Sequence, residues 1–135
     1  MKHWTNLLCA DSNKLSGLGF SKMDFCIASP PYMPQGDQYN PLAGGNPARA
    51  GYAAYLRQMA GIYKQIGTMM KRGAHIVIVV DNVQKKSFTP LVRDISLAVS
   101  KHLQPVGETI VAWDKATSKN MPKTYQHTHC LVFRV

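Results

Sequence analysis

Acidic residues are scarce in this chain: seven Asp and Glu stand against sixteen Lys and Arg in 135 residues, a net charge of +9 at neutral pH. Such a balance favours a polyanionic partner, because neutralising phosphates releases their condensed counterions. Cysteine is also sparse. Its three copies are an odd number in or near apolar strand-like runs, which argues against a disulfide framework and for a reducing compartment, read here as the cytoplasm. No apolar run approaches the ~20 residues that span a bilayer, and the start Met1-Lys2-His3-Trp4-Thr5-Asn6 lacks the apolar core of a secretory leader, so no membrane partner is expected. Internal repeats and low-complexity tracts are absent too. What remains is a chain with 45% apolar residues, the size of one domain with a real core.

Hydrophobic periodicity divides that domain into alternating strands and helices. Residues 6–10 and 24–28 are short apolar runs that read as buried strands. From Tyr52 to Met70 apolar positions recur every three or four residues, the clearest helix in the chain, with Lys71-Arg72 suited to its C-terminal end and Gly73 to its cap. His75-Ile76-Val77-Ile78-Val79-Val80 is continuous and β-branched, as in a central parallel strand, and Asp81-Asn82 lies at its carboxyl end. A second helix fits residues 90–102, with Pro90 tolerable in the first turn. Strands over 107–113 and 128–134 flank a polar loop from Asp114 to Gln126. This alternation predicts a three-layer α/β sheet, mostly parallel with right-handed crossovers, closing in an antiparallel C-terminal strand pair.

Ser29-Pro30-Pro31-Tyr32 follows the strand 24–28, and this placement carries most of the functional information. The tetrapeptide gathers a hydroxyl, carbonyls from prolines that have no N–H, and an aromatic face into one small volume. Adenine and cytosine amines are poor nucleophiles because their lone pair is delocalised into the ring. Acceptors for both amine protons, here the Ser29 hydroxyl and the Pro30 carbonyl, favour the pyramidal nitrogen that attacks an electrophilic carbon. Tyr32 is placed to stack on the base. Taken without its context, Pro-Pro-Tyr also serves simply to end a strand and open a loop.

At these residues the chain resembles the amino-group DNA methyltransferases, which act on N4 of cytosine or N6 of adenine. Their signature is Asp, Asn or Ser followed by Pro-Pro-Tyr or Pro-Pro-Phe at a strand end. Asn6-Leu7-Leu8-Cys9-Ala10-Asp11-Ser12, Leu15 and Met23 to Tyr32 are similar to the family's lead-in of strand, acidic residue, short helix and catalytic strand. Gly73 to Val83 resembles the strand after the catalytic helix, and His127-Thr128-His129-Cys130-Leu131-Val132-Phe133-Arg134 the terminal strand. The likeness covers nearly the whole chain. It implies a Rossmann-like methyltransferase sheet, S-adenosylmethionine as cofactor, DNA as partner, and catalytic roles for Ser29, Pro30, Pro31 and Tyr32. Ser at the first motif position favours N4-cytosine over N6-adenine in such a resemblance.

Other candidates follow from the same comparison. Asp11 matches an acidic position that accepts from the amino group of the cofactor's adenine, and it serves equally well as a helix N-cap. The segment 33–51, rich in Gly, Pro, Asn and Gln, is long for a connection and reads as a mobile substrate loop in which Arg49 contacts DNA, or equally as a plain flexible loop. Lys115, Lys119 and Lys123 form a second basic group on the substrate side, suited to phosphate contact or to a solvated face. His127, His129 and Cys130 lack a second ligand cluster, so no metal is expected.

One family feature is missing. The cofactor site depends on a glycine-rich turn leaving a strand and opening a helix, whereas Gly17-Leu18-Gly19 precedes a strand and Gly44-Gly45 lies inside the long loop. The chain therefore reads as the catalytic half of the fold, with the cofactor-side strands missing and one sheet edge exposed. The expected partner is a complementary cofactor-binding subunit, or a second copy pairing through that edge. The alternative is a catalytically inactive methyltransferase-like protein that binds nucleic acid or regulates.

Overall fold

A computed structural model describes residues 7–20, 22–112 and 127–135. It contains strand β1 (Met23–Ala28), helix α1 (Tyr52–Met69), strand β2 (Met70–Val80), the short strands β3 (Val83–Gln84) and β4 (Phe88–Thr89), helix α2 (Leu91–Val99), and strands β5 (Gln104–Ala112) and β6 (His127–Arg134). Two 3₁₀ turns, Ser12–Gly17 and Pro47–Arg49, precede α1. The main sheet has the order β1-β2-β6-β5, and β3 pairs with β4 in a separate hairpin. β1 runs parallel to β2, while β6 is antiparallel to both β2 and β5. Three strands thus share one direction and the last is reversed between two of them. This is a mixed α/β sheet, with one parallel pair and the antiparallel C-terminal pair that the sequence predicts.

The core lies on one side of this sheet. Ile76, Ile78 and Val80 of β2 are fully buried, and they meet Tyr55, Met59, Tyr63 and Ile66 of α1, Leu91, Ile95 and Val99 of α2, and Leu131 and Phe133 of β6 in one cluster. Burying each such aliphatic side chain is worth roughly 1.5–3 kcal/mol, so β2 is the best anchored strand. The other face carries the alternate residues. Phe25 and Ile27 pair with His75 and Val77, and they are 55% and 61% exposed. Both described α-helices therefore cover one face, and the expected three layers are represented by the sheet and a single helical layer. Among the described residues β1 is also an outer strand, and no helix is long and apolar enough to cross a membrane.

Two local expectations are corrected. Of residues 6–10, expected to form a strand, Asn6 lies outside the described residues and 7–10 form none: Leu7 and Leu8 are 92% and 56% exposed, and no described strand offers them a ladder. Gly73 does not cap α1. That helix stops at Met69, where Met70 takes an extended conformation, and Lys71, Arg72 and Gly73 belong to β2. The pairing runs from Met23 opposite Met70 to Phe25 opposite His75, so β2 spends five steps where β1 spends two. Gly73, at φ +80°, turns the chain within this bulge, and its N–H donates to the Val135 carbonyl at 2.8 Å. The second helix matches its expectation to within three residues, and Asn82 Oδ1 accepts from the Val92 N–H in its first turn.

Gly73→Ala should destabilise the fold by about 1–2 kcal/mol, since a side chain is strained at positive φ. By contrast Gly61→Ala, in the middle of α1 with open space around the new Cβ, should stabilise it by up to about 1 kcal/mol. Urea unfolding of the two variants beside the parent checks both signs.

Candidate functional site

The tetrapeptide leaves β1 at the carboxyl end of the sheet, beside the end of β2, because Ala28 pairs with Ile78. Its conformation is held from two sides. From below, the Tyr55 hydroxyl of α1 donates to the Pro31 carbonyl at 2.9 Å. From the side, the Tyr32 hydroxyl reaches Asp81 Oδ2 at 3.4 Å, and the Ser29 hydroxyl interacts with the same phenol. Pro31 thus spends its carbonyl on the scaffold. The Pro30 carbonyl takes no hydrogen bond from any described residue, and Tyr32 as a whole stays 38% exposed. An acceptor and an aromatic face are therefore available to a ligand, in fixed positions.

Asp81 is the hub of this arrangement. Besides Tyr32, its Oδ2 accepts from Thr128 Oγ1 at 2.6 Å, and its Oδ1 accepts from the His129 N–H at 3.3 Å. Beyond it the segment after the tetrapeptide is fastened to the β3–β4 hairpin: the Gln35 N–H donates to the fully buried Thr89 hydroxyl at 2.9 Å, and Lys85 pairs with Asp37 at 3.3 Å. His129, next to Thr128, holds Glu108 of β5 through Nδ1 and lies edge-on to His127. No group of three potential metal ligands occurs among the described residues.

Burial, and then the neighbouring Asp81 charge, push the Tyr32 phenol up to about 12. Tyr52, Tyr55 and Tyr63 are raised as well, chiefly by burial. At neutral pH Tyr32 therefore keeps its proton and donates it.

Asp11 and Arg49 fall in a second neighbourhood. Asp11 caps the turn Ser12–Gly17: its Oδ1 accepts from the Asn13 backbone and side-chain amides, both at 2.9 Å, and these bonds hold its carboxyl below the usual range, with smaller help from Lys14 and Arg49. The N-cap reading is thus realised. Asn13 in turn meets Gln58 of α1, and Gln58 and Asn40 bind each other at 2.6 Å. Asn40 also donates to the Arg49 carbonyl, and Leu42 and Met33 are buried, so segment 33–51 has several anchors on α1. The Arg49 side chain is exposed. No described bond joins Asp11 to the tetrapeptide; Tyr55 and Gln58, on the same helix, connect the two neighbourhoods. Lys115, Lys119 and Lys123 lie outside the described residues.

Sequence reasoning missed the supporting residues Tyr55, Asp81, Thr89 and Thr128. Asp81 alone carried a readable signal, a carboxylate ending a buried strand. Of the residues offered for a cofactor, Asp11 is exposed and bonded to Asn13 through Oδ1, while the tetrapeptide follows β1, an outer strand among the described residues.

With this geometry in view, the chain can be set beside solved structures. It superposes on a Thermus thermophilus protein assigned as a DNA modification methylase with a TM-score of 0.66 and 19% identity, over 93% of this chain and 51% of that one. The same protein complexed with S-adenosyl-L-methionine matches with a TM-score of 0.63 and 20% identity, over 92% and 52%. The chain therefore shares the fold of these structures and spans about half the length of that protein. No protein-family profile and no curated protein matches its sequence.

Raised tyrosines make the folded state hold protons that the unfolded chain releases near pH 10. Their contribution to stability should be complete below about pH 10 and should fade as the pH climbs through about 12, the value for Tyr32. Unfolding midpoints across alkaline pH, with phenolate absorbance followed in parallel, read this directly.

Proposed function

We propose that the chain is the base-binding half of a DNA amino-methyltransferase, methylating an exocyclic base amine, with N4 of cytosine favoured over N6 of adenine. The observation that carries this reading is the chain of contacts from Ser29 to Tyr32 to Asp81 at the carboxyl end of β1 and β2, with the Pro30 carbonyl left to accept. Its agreement in fold with a DNA modification methylase supports it. Ser29 and Pro30 take the two amine protons, Tyr32 stacks on the base, and Asp81 holds Tyr32. Base and donor react by alignment more than by acid or base catalysis, and a base in duplex DNA must first be flipped out. S-adenosylmethionine supplies the methyl group, and a complementary cofactor-binding subunit holds most of it.

The partner is proposed on two grounds. β1 is an outer strand with Phe25 and Ile27 exposed on the sheet face that bears no described helix, and the solved neighbour is about twice as long as the region it shares with this chain. An open edge and an apolar face invite such a cover. Sedimentation should show the isolated chain self-associating and a complementary half dispersing it. A stable monomer at high concentration sinks the proposed interface.

The second reading, a catalytically inactive nucleic-acid-binding or regulatory protein, is favoured by Asp11, the cofactor candidate, whose carboxylate serves as the cap of the turn Ser12–Gly17. Radiolabelled methyl transfer to DNA by the chain with its complement separates the two. Ser29→Ala should lower that transfer by at least about 10²-fold, the scale of losing one aligned polar group in a catalytic site, with the melting temperature unchanged. Full activity in this variant removes Ser29 from the mechanism, and no transfer by the parent complex leaves the inactive reading.

A further inference from the structure

The β3–β4 hairpin has a fixed base and an exposed tip. Val83 and Thr89 pair at the base, and they are 8% and 0% exposed. At the tip stand Lys85, Lys86 and Ser87, followed by Phe88, which is 57% exposed. A large aromatic ring turned to solvent adds nothing to the core. Its position is what singles it out. The hairpin begins two residues after Asp81, which holds Tyr32, and Phe88 immediately precedes Thr89, whose hydroxyl holds the Gln35 N–H. With the Lys85–Asp37 pair, three links tie residues 32–37 to residues 81–89. The segment that begins with the base-binding turn is thus tied to the hairpin that carries the exposed ring and the lysines. Lys85 shares its charge with Asp37, while Lys86 is exposed and has no acidic partner among the described residues.

We propose that this hairpin is a DNA-docking element of the site, in which Phe88 stacks on a base neighbouring the one held at Ser29 to Tyr32 and Lys86 meets a backbone phosphate. The proposal rests on the base-amine reading for its substrate class. Aromatic rings interleaved with cations are the composition that single-stranded nucleic acid binds: rings accept any base face, and cations follow the backbone. A strand carrying an extruded base presents both features next to the site, since neighbouring bases lose a stacking partner when one leaves. Phe88 replaces that partner, and the rigid base of the hairpin spares the complex the entropy of ordering a loop.

The test is equilibrium binding of the whole chain to a short, labelled, single-stranded DNA of mixed sequence, followed by fluorescence anisotropy over a range of salt concentrations. Phe88→Ala should weaken binding by about ten- to a hundredfold, and Phe88→Tyr, which keeps a stacking face, should restore most of it. Lys86→Ala should reduce the slope of log affinity against log salt by about 0.7, one phosphate contact on a single strand. Circular dichroism melting of each variant checks that the fold is intact; Lys86→Ala, at an exposed tip, keeps the test decisive if Phe88→Ala unfolds. Parental affinity and slope in both variants overturn the proposal, as does equal competition by polyglutamate, which offers charge without bases. Failure of the parent to bind DNA overturns it as well. The assay needs neither methyl donor nor turnover, so intact hairpin-dependent binding without methylation discards the enzymatic reading alone.

Discussion

Asp81 accepts hydrogen bonds from Tyr32, Thr128 and the His129 backbone, and through them it joins the ends of three strands. A carboxylate can hold several donors at once, and its place at the end of β2 gives it a firm base, because Ile76, Ile78 and Val80 just before it are fully buried. The strength of the arrangement is therefore borrowed from the core. Hydrophobic burial fixes β2, β2 fixes the carboxylate, and the carboxylate fixes the phenol that stands over the acceptor turn. Each link narrows the freedom of the next, so the polar groups of the turn are held with little reorganisation left to them.

The sheet is protected unequally. One face is closed by α1 and α2, and its side chains form one cluster; the other leaves Phe25 and Ile27 of β1 in contact with solvent. The acceptor turn emerges from this same outer strand. The open face and the turn therefore share one strand, and a change in how that strand is packed reaches both.

Both helices and the parallel order of β1 and β2 were legible in the sequence because period and length suffice to signal them. Ser29 to Tyr32 were legible because proline and a strand end determine local geometry without distant help. The bulge at Gly73 was not: a glycine after a basic pair suits a helix cap equally well, and only the pairing of Phe25 with His75 decides between them. Residues 7–10 misled for a related reason, since a run of apolar residues states a preference for strand and cannot supply the neighbour it needs. Tyr55, Thr89 and Thr128 are ordinary in sequence. They acquire meaning through partners 24, 54 and 47 positions away, a separation over which local pattern carries no information.

The bulge between Met70 and His75 also acts as a phase setter for everything downstream of it. Side chains alternate along a strand, so the residues inserted there decide which members of the following run look inwards. With the observed count, Ile76, Ile78 and Val80 enter the core and Asp81 arrives beside Tyr32. One residue more or fewer would exchange them for Val77 and Val79, which are equally apolar, and a sheet of passable quality would still form. The parity of a short insertion far along the chain from the acceptor turn thus acts as its hidden coordinate, and a frame error there would part Asp81 from Tyr32 before it spoiled the fold.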